Sequence, residues 1–341
     1  MQYTTNYFKI AIDVMGGDFA PVNEIEGVIK AFEVLGSKSN FEVVLIGKEG
    51  IITSHLNKYN LSNVRYSIIN ADEVITMKDD ATSALKSKKN SSLYIGMELL
   101  RNKQVDAFLS AGNTGAMLST ATILLGRIKG VSRPTIGTFF PTMTGNPTLI
   151  VDVGANVDCK PRFLFEFAIM GAEYYKLMLG IEKPKIGLLN IGEEDSKGNE
   201  VSLLTNKMLK EVDVNFHGNI EGRDIFKGVV DVVVCDGFTG NIILKFAESF
   251  LSFFKHKVKS YADKSLINKL KVLSIKPTLK DIMKEFDYQE YGGVPLLGVN
   301  GIVMISHGSS SPKAIKNMIF RTIEVLEKDL NKNIEIALAN K

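Results

Sequence analysis

Ten short apolar runs punctuate the chain, and many of them end in glycine. They are 9-KIAIDV, 41-FEVVLIG, 64-VRYSII, 106-DAFLSAG, 135-TIGTFF, 148-TLIVDVG, 185-KIGLLNIG, 214-VNFHGNI, 231-DVVVCDG and 302-IVMISHG. Several are apolar on both faces instead of alternating, as strands of a helix-covered parallel sheet are. Stretches with helical periodicity lie near 22–36, 91–102, 115–128, 162–179, 199–211, 240–262 and 312–332. The alternation predicts a doubly wound α/β fold, a mostly parallel sheet flanked by helices with right-handed connections. No Pro/Ser-rich linker divides the chain, so a single α/β domain over 1–341 is expected, with a basic amphipathic helical insertion over 246–290.

Ligands of open α/β sheets bind beyond the carboxyl ends of the strands. Six such ends combine glycine with Asn, Asp or Thr: DVMGGD, SAGNTGA, DVGAN, NIGEE, GNIEGRD and CDGFTGN. One such turn is ordinarily just a turn. Six meeting at one sheet edge would make a glycine-lined cleft whose backbone amides suit an anion. In 106-DAFLSAGNTGAML, Gly112 and Gly115 allow close approach, and Asn113 and Thr114 supply either ligand donors or a plain helix cap. In 86-KSKKNSSLYIG, Lys88 precedes Ser91 and Ser92 at a helix start, which reads equally as a phosphate site or a solvated basic turn.

Composition narrows the chemistry. Of 341 residues, 45% are hydrophobic and 23% charged, which suits a globular core. A formal charge of +3 provides no global basic field that demands nucleic acid. Cys159 and Cys235 are far apart and read as reduced, inert thiols of a cytoplasmic protein. The start, MQYTTNYFK, lacks an export pattern, and no apolar run approaches the roughly 20 residues that span a bilayer. No Walker loop, no GxGxxG after the first strand and no GxSxG elbow occurs. His55, His217, His256 and His307 stand alone, so no metal site is expected.

The runs IDVMGGDFAP, KKNSS, SAGNTGA, DVGANVDCKP, NIGEEDSKGNE, GNIEGRD, CDGFTGN and YGGVPLLGVNG follow in this order. Together they resemble the bacterial phosphate acyltransferases of phospholipid synthesis, from about residue 9 to about residue 325. One departure is 307-HGSSSPKAI, where Pro312 suits the first turn of a helix; the loop 141-PTMTGNPT is also uncommon. The resemblance implies attack of inorganic phosphate on the thioester of an acyl group held by acyl carrier protein. The acyl phosphate formed would pass to a membrane glycerol-3-phosphate acyltransferase. It further implies an isopropylmalate dehydrogenase-like fold, a homodimer, and no metal or nucleotide cofactor.

The residues suit that chemistry. Phosphate is already an ionised nucleophile, so no Ser or Cys nucleophile is required; positioning and oxyanion donors are. Lys88, Ser91, Ser92, Asn113 and Thr114 are expected to hold phosphate or the oxyanion. Asp236, Thr239 and Asn241 would orient the reacting groups, and Lys197 and Asn199 would add positive potential and a donor. Asp13 and Asp18 would repel phosphate, so they are expected to orient lysines or hydroxyls around it. The apolar segment 293-GVPLLGVNG can wall the cleft or be ordinary core.

The segment 255–281 holds eight lysines and two aspartates. On a helix, Leu266, Leu270 and Leu273 share a face, with Lys264, Lys269 and Lys271 around them. That suits a protruding hairpin that docks on an anionic membrane or an acidic carrier, or a solvated hairpin at a dimer surface. Helix 240–262 is the first candidate for that surface. Rival readings are a short-chain phosphate acyltransferase using coenzyme A, a decarboxylating dehydrogenase and a lipid-binding scaffold.

Overall fold

The computed structural model describes residues 7–36, 40–284, 288–290 and 292–341. Among them, eleven strands form one sheet. They are β1 (Phe8–Asp13), β2 (Phe41–Gly47), β3 (Tyr66–Asn70), β4 (Ala107–Ser110), β5 (Thr135–Phe140), β6 (Thr148–Val151), β7 (Ile186–Leu189), β8 (Phe216–Ile220), β9 (Val232–Val234), β10 (Val294–Leu297) and β11 (Ile302–Ile305). Their spatial order is β3-β2-β1-β4-β11-β10-β5-β6-β9-β7-β8. The helices are α1 (Val22–Leu35), α2 (Glu49–Leu56), α3 (Ala81–Ser87), α4 (Ser92–Arg101), α5 (Thr114–Leu124), α6 (Pro161–Leu179), α7 (Glu200–Lys210), α8 (Gly222–Lys227), α9 (Gly237–Ala262), α10 (Leu266–Lys284), α11 (Pro312–Glu327) and α12 (Leu330–Ala339).

All ten apolar runs contain strands, and the sheet is mostly parallel, as predicted. Side chains from its two faces feed two core layers. One gathers Ile10, Ile12, Phe32 and Phe41 with Ile315 and Met318 of α11. The other gathers Ala11, Val44, Met97 of α4 and Met117 of α5. Helix α11 buries Ala314, Ile315, Met318, Ile319, Thr322 and Val325, the spacing of one helical stripe. The helix expected over 312–332 is two helices, because Asp329 takes a left-handed φ of 49° between them.

The segment 293-GVPLLGVNG holds the eleventh strand. Its Pro295, Leu296 and Leu297 are buried in the middle of the sheet, so it is core and not a cleft wall. Proline argues against a central strand, which hid it. Strand β10 runs antiparallel to both neighbours and pairs through only two residues on each side: Val294 and Pro295 with β11, Leu296 and Leu297 with β5. Strand β5 is in turn antiparallel to β6. Three reversals, β11–β10, β10–β5 and β5–β6, separate one parallel block, β3-β2-β1-β4-β11, from the block β6-β9-β7-β8. With β5 aligned with the first block, the second block runs the opposite way. Its carboxyl ends therefore leave the sheet on the other rim. The six glycine turns do not share one edge.

Of α9, the buried residues are Gly237 and Gly240. Beyond them it leaves the sheet and packs on α10, which continues through Pro277. This helix pair covers most of the segment 246–290 read as a basic amphipathic insertion, α9 starting earlier at Gly237; residues 285–287 lie outside the described ones. Among the described residues, no helix is long and apolar enough to cross a membrane.

Candidate active site

The first rim collects the carboxyl ends of β1, β4 and β11. Asp13 is 2% exposed. It accepts hydrogen bonds from Ser110 Oγ (2.8 Å), the Met15 N–H (3.0 Å) and the Ser92 hydroxyl, while burial still raises its pKa. Ser110 Oγ also accepts from the Gly112 N–H at 2.9 Å. A Cβ on Gly16 would stand 2.5 Å from Asp13 Oδ2 and 3.0 Å from Gly112 Cα, so the two turns interlock only as glycines. Below them lies buried Glu24, with one oxygen unpartnered among the described residues. Burial first, then the charges of Asp13 and Asp18, push its pKa up to about 7. Asp18 is exposed and donates its N–H to the Gly308 carbonyl at 2.8 Å.

The donors expected on this rim serve the fold locally. Lys88 Nζ donates to Asp79 Oδ2 (2.7 Å) and the Val74 carbonyl (2.9 Å). With the Thr76 donors, it holds Asp79 down to about 2. Ser91 caps α4, accepting from the Tyr94 N–H (3.3 Å) and donating to the Lys88 carbonyl (2.7 Å). Asn113 caps α5 by accepting from the Ala116 N–H at 3.0 Å. Its amide donates to the carbonyls of Thr76 and Asp79, 3.1 Å each. Gly115 rests against Ala81. Thr114 is exposed at the start of α5.

The second rim is framed by backbone donors. Asp152, fully buried after β6, accepts from the N–H groups of Ile136, Ala155 and Asn156 and from the Asn156 amide. Burial raises its pKa. The Asn156 carbonyl accepts the Gly237 N–H at 2.7 Å. A Cβ on Gly240 would come 1.9 Å from the Asp152 carbonyl oxygen, so glycine is required for α9 to press on this loop. Asp236 caps α9, accepting from the Thr239 N–H (2.8 Å) and hydroxyl (2.9 Å). The Asn241 side chain lies over Gly154. Asn199 caps α7 through the Ser202 N–H at 2.9 Å. The Asn190 amide holds the loop by donating to the Lys197 carbonyl at 3.0 Å. Lys197 is exposed, and no carboxylate among the described residues pairs with it.

A cavity of about 1040 Å³ opens here, lined by Asn190, Asn199, Asp236 and Thr239 with Cys159 and Cys235. The N-termini of α7 and α9 face it, which favours an anion. Burial, reinforced by Asp152 and Asp236, pushes the Cys159 thiol up to about 12 and Cys235 well above its ordinary value. Neither thiol ionises at neutral pH, so neither is an activated nucleophile. The structure thus brings Asn199, Asp236 and Thr239 to one cavity. It places Asn241 on the same rim against Gly154, and Lys197 beside the lining residue Gly198 without itself lining the cavity. It leaves Lys88, Ser91, Ser92, Gly112, Asn113, Thr114 and Gly115 on the other rim.

Sequence reasoning missed three arginines. Arg127, Arg133 and Arg162 line a cavity of about 1010 Å³ on the other side of the Asp152–Asn156 loop. Fully buried Glu166 holds Arg162 and the loop, accepting from Arg162 Nε (2.7 Å), the Ser132 N–H (2.6 Å) and the Ser132 hydroxyl (2.9 Å), while Arg127 donates to the Ser132 carbonyl and Arg133 lies over the Phe163 ring. Asn156 ties the two cavities together by donating to the Pro134 carbonyl at 2.8 Å. The signal was 127-RIKGVSRP between a helix and a strand, where loop arginines ordinarily read as solvated charge.

A family model described as "fatty acid synthesis protein" matches residues 8–333. A curated phosphate acyltransferase from Dictyoglomus thermophilum is 46% identical over 327 residues, 96% of each chain. Among solved structures, a phosphotransacetylase from Streptococcus pyogenes superposes with a TM-score of 0.60 at 17% identity, covering 95% of this chain and 94% of its own. A protein described as a 4-hydroxythreonine-4-phosphate dehydrogenase from Salmonella typhimurium gives 0.52 at 12%, covering 94% and 99%. At such identities the structural likeness speaks for the fold alone, the dehydrogenase-like α/β type read from the sequence.

Proposed function

The chain belongs to the phosphate acyltransferase family, and from that premise we propose that it moves a fatty acyl group from acyl carrier protein to inorganic phosphate, supplying acyl phosphate for phosphatidic acid synthesis. The observation that carries this reading is the second-rim cavity, where the N-termini of α7 and α9 converge, with exposed Lys197 next in sequence to the lining residues Gly198 and Asn199. Lys197 and the N-termini of α7 and α9 hold phosphate. Asn241 and the first turn of α9 supply donors to the thioester oxygen as it gains charge. Asp236 and Asn199 position these turns by capping them. A phosphate oxygen bonds to the thioester carbon and the carbon–sulfur bond breaks. The electron pair leaves on the carrier sulfur, which takes a proton from solvent. The raised thiols of Cys159 and Cys235 take no part, and no cofactor enters the scheme. The three arginines beyond the loop add the positive field that an acidic carrier meets on approach.

The hairpin serves delivery. Leu266, Leu270 and Leu273 are 79%, 67% and 50% exposed, and Lys264, Lys269 and Lys271 flank them, also exposed. Such a face docks on an anionic membrane beside the downstream glycerol-3-phosphate acyltransferase. The protein is then cytoplasmic and peripherally bound. A homodimer paired along the outer part of α9, where Phe253 is 56% exposed, completes the proposal. Leu270→Asp should abolish cosedimentation with anionic vesicles; unchanged cosedimentation would remove the hairpin from the membrane.

The test mixes the protein with long-chain acyl carrier protein and phosphate and traps acyl phosphate with hydroxylamine. Hydroxamate is expected with the carrier donor and not without phosphate. Signal from short-chain acyl-coenzyme A alone would shift the reading to a coenzyme A-dependent enzyme. No signal with any donor would sink acyl transfer to phosphate.

A further inference from the structure

Next to the second-rim cavity lies a smaller one of about 400 Å³ with a different lining. Its walls are β5 through Phe139 and Phe140, α8 through Ile225 and Phe226, and α9 through Ile242 and Ala247. The Phe140 and Phe226 rings meet edge-on at 6.0 Å and close one side. The one charged side chain in the lining is Glu248, and it is ion-paired with Lys245 at 2.9 Å. A polar ligand would lose its water there and recover few hydrogen bonds. A hydrocarbon loses nothing. The volume falls in the ordinary range of small-molecule sites.

The two cavities touch. Gly222 and Ile243 line both of them. A ligand whose polar end sits at Asp236 and Thr239 therefore has a direct path into the apolar space. A Cβ on Gly222 would meet nothing within 4 Å, so the passage is open at that residue. From Ile242 to Leu251 the lining follows α9, about 14 Å at the helical rise. That shape is an open channel along a helix, with Ile242, Phe246 and Phe250 on its rim 52%, 70% and 58% exposed.

We propose that this cavity holds the hydrocarbon tail of the acyl donor, with the thioester at the Gly222–Ile243 passage. The proposal rests on the acyl-transfer reading above. It assigns chain-length selection to β5, α8 and α9, away from the groups that handle phosphate.

The experiment measures kcat/KM for carrier thioesters from butyryl to palmitoyl. In the unsubstituted protein, kcat/KM should rise about fourfold per methylene until the channel is filled, the equivalent of about 0.8 kcal/mol each. Gly222→Leu places a side chain in the open passage, and Ala247→Phe fills the channel midway. Each should lower the palmitoyl-to-butyryl ratio at least about tenfold. Far-UV circular dichroism and thermal unfolding establish that each variant is folded. Turnover by the unsubstituted protein with no dependence on chain length overturns the proposal. So does a folded pair of variants with the parent ratio. If Ala247→Phe changes only the elution volume on size exclusion, the face is a contact between copies and the proposal falls. No acyl phosphate from any donor is a separate outcome, which removes the acyl-transfer reading itself.

Discussion

At Asp13 and again at Asp152, a buried strand ends on a carboxylate and the following residues turn on glycine. The partners differ. Asp13 is held by hydroxyls from other elements, Ser110 on β4 and Ser92 on α4, with one backbone N–H from its own turn. Asp152 is held mainly by backbone N–H groups, two of them in its own loop. In the first case, neighbouring polar side chains are drawn inward and the rim closes on itself. In the second, the backbone supplies the donors, and Asp236, Thr239 and Asn199 remain at a cavity wall. A buried carboxylate needs several donors. Where those donors come from decides whether the turn is filled or available.

The largest effect should separate the rims by activity. Lys197→Ala and Asn241→Ala are each expected to lower kcat about 100- to 1000-fold, with thermal unfolding unmoved. Equal losses from Lys88→Ala would transfer the reacting centre to the first rim and reverse the contrast.

The next effect separates them by pH. The folded pKa of Glu24, about 7, lies above its ordinary 4.5. The folded state therefore binds more protons between those values. Its stability contribution is full below about 4.5, falls as pH rises towards 7, and is flat above. The difference amounts to about 3 kcal/mol. Urea unfolding at pH 4.5 and pH 8 should show the parent losing about that much more than Glu24→Gln. Equal losses would mean that water enters the first rim, which would then be as open as the second.

A smaller effect tests the capping reading. Asn113→Ala removes the α5 cap and should cost about 1 kcal/mol in the same titration, with kcat within about twofold of the parent. A hundredfold activity loss at full stability would mark Asn113 as an oxyanion donor after all.

Much of the architecture was legible because strand and helix periodicities differ. The ten apolar runs and the glycine-rich strand ends stood out for that reason. Short elements were not legible. Helices α2, α3 and α8 have eight, seven and six residues, too few turns for periodicity to declare itself. Strand β10 has four residues with a proline among them. The site was half legible. Polar residues at strand ends marked both rims alike, and the arginines gave no local signal, because Arg127, Arg133 and Arg162 come from a loop and a helix start that meet through tertiary contacts, Ser132 and Arg162 on Glu166 and Arg133 over the Phe163 ring.

By itself, the amino-acid order determined the α/β class, the family and the residue types suited to phosphate, since each depends on local pattern. Only the tertiary structure decided which of those residues face one another. Strand β10 enters the sheet antiparallel on both sides through four paired residues. With the β5–β6 reversal those pairings make three reversals in a row, which turns the second block of strands around and divides one list of glycine turns between two rims; the middle one, β10 with β5, joins residues more than 150 positions apart in sequence. Strand direction depends on distant partners, so no local window of the chain contains it.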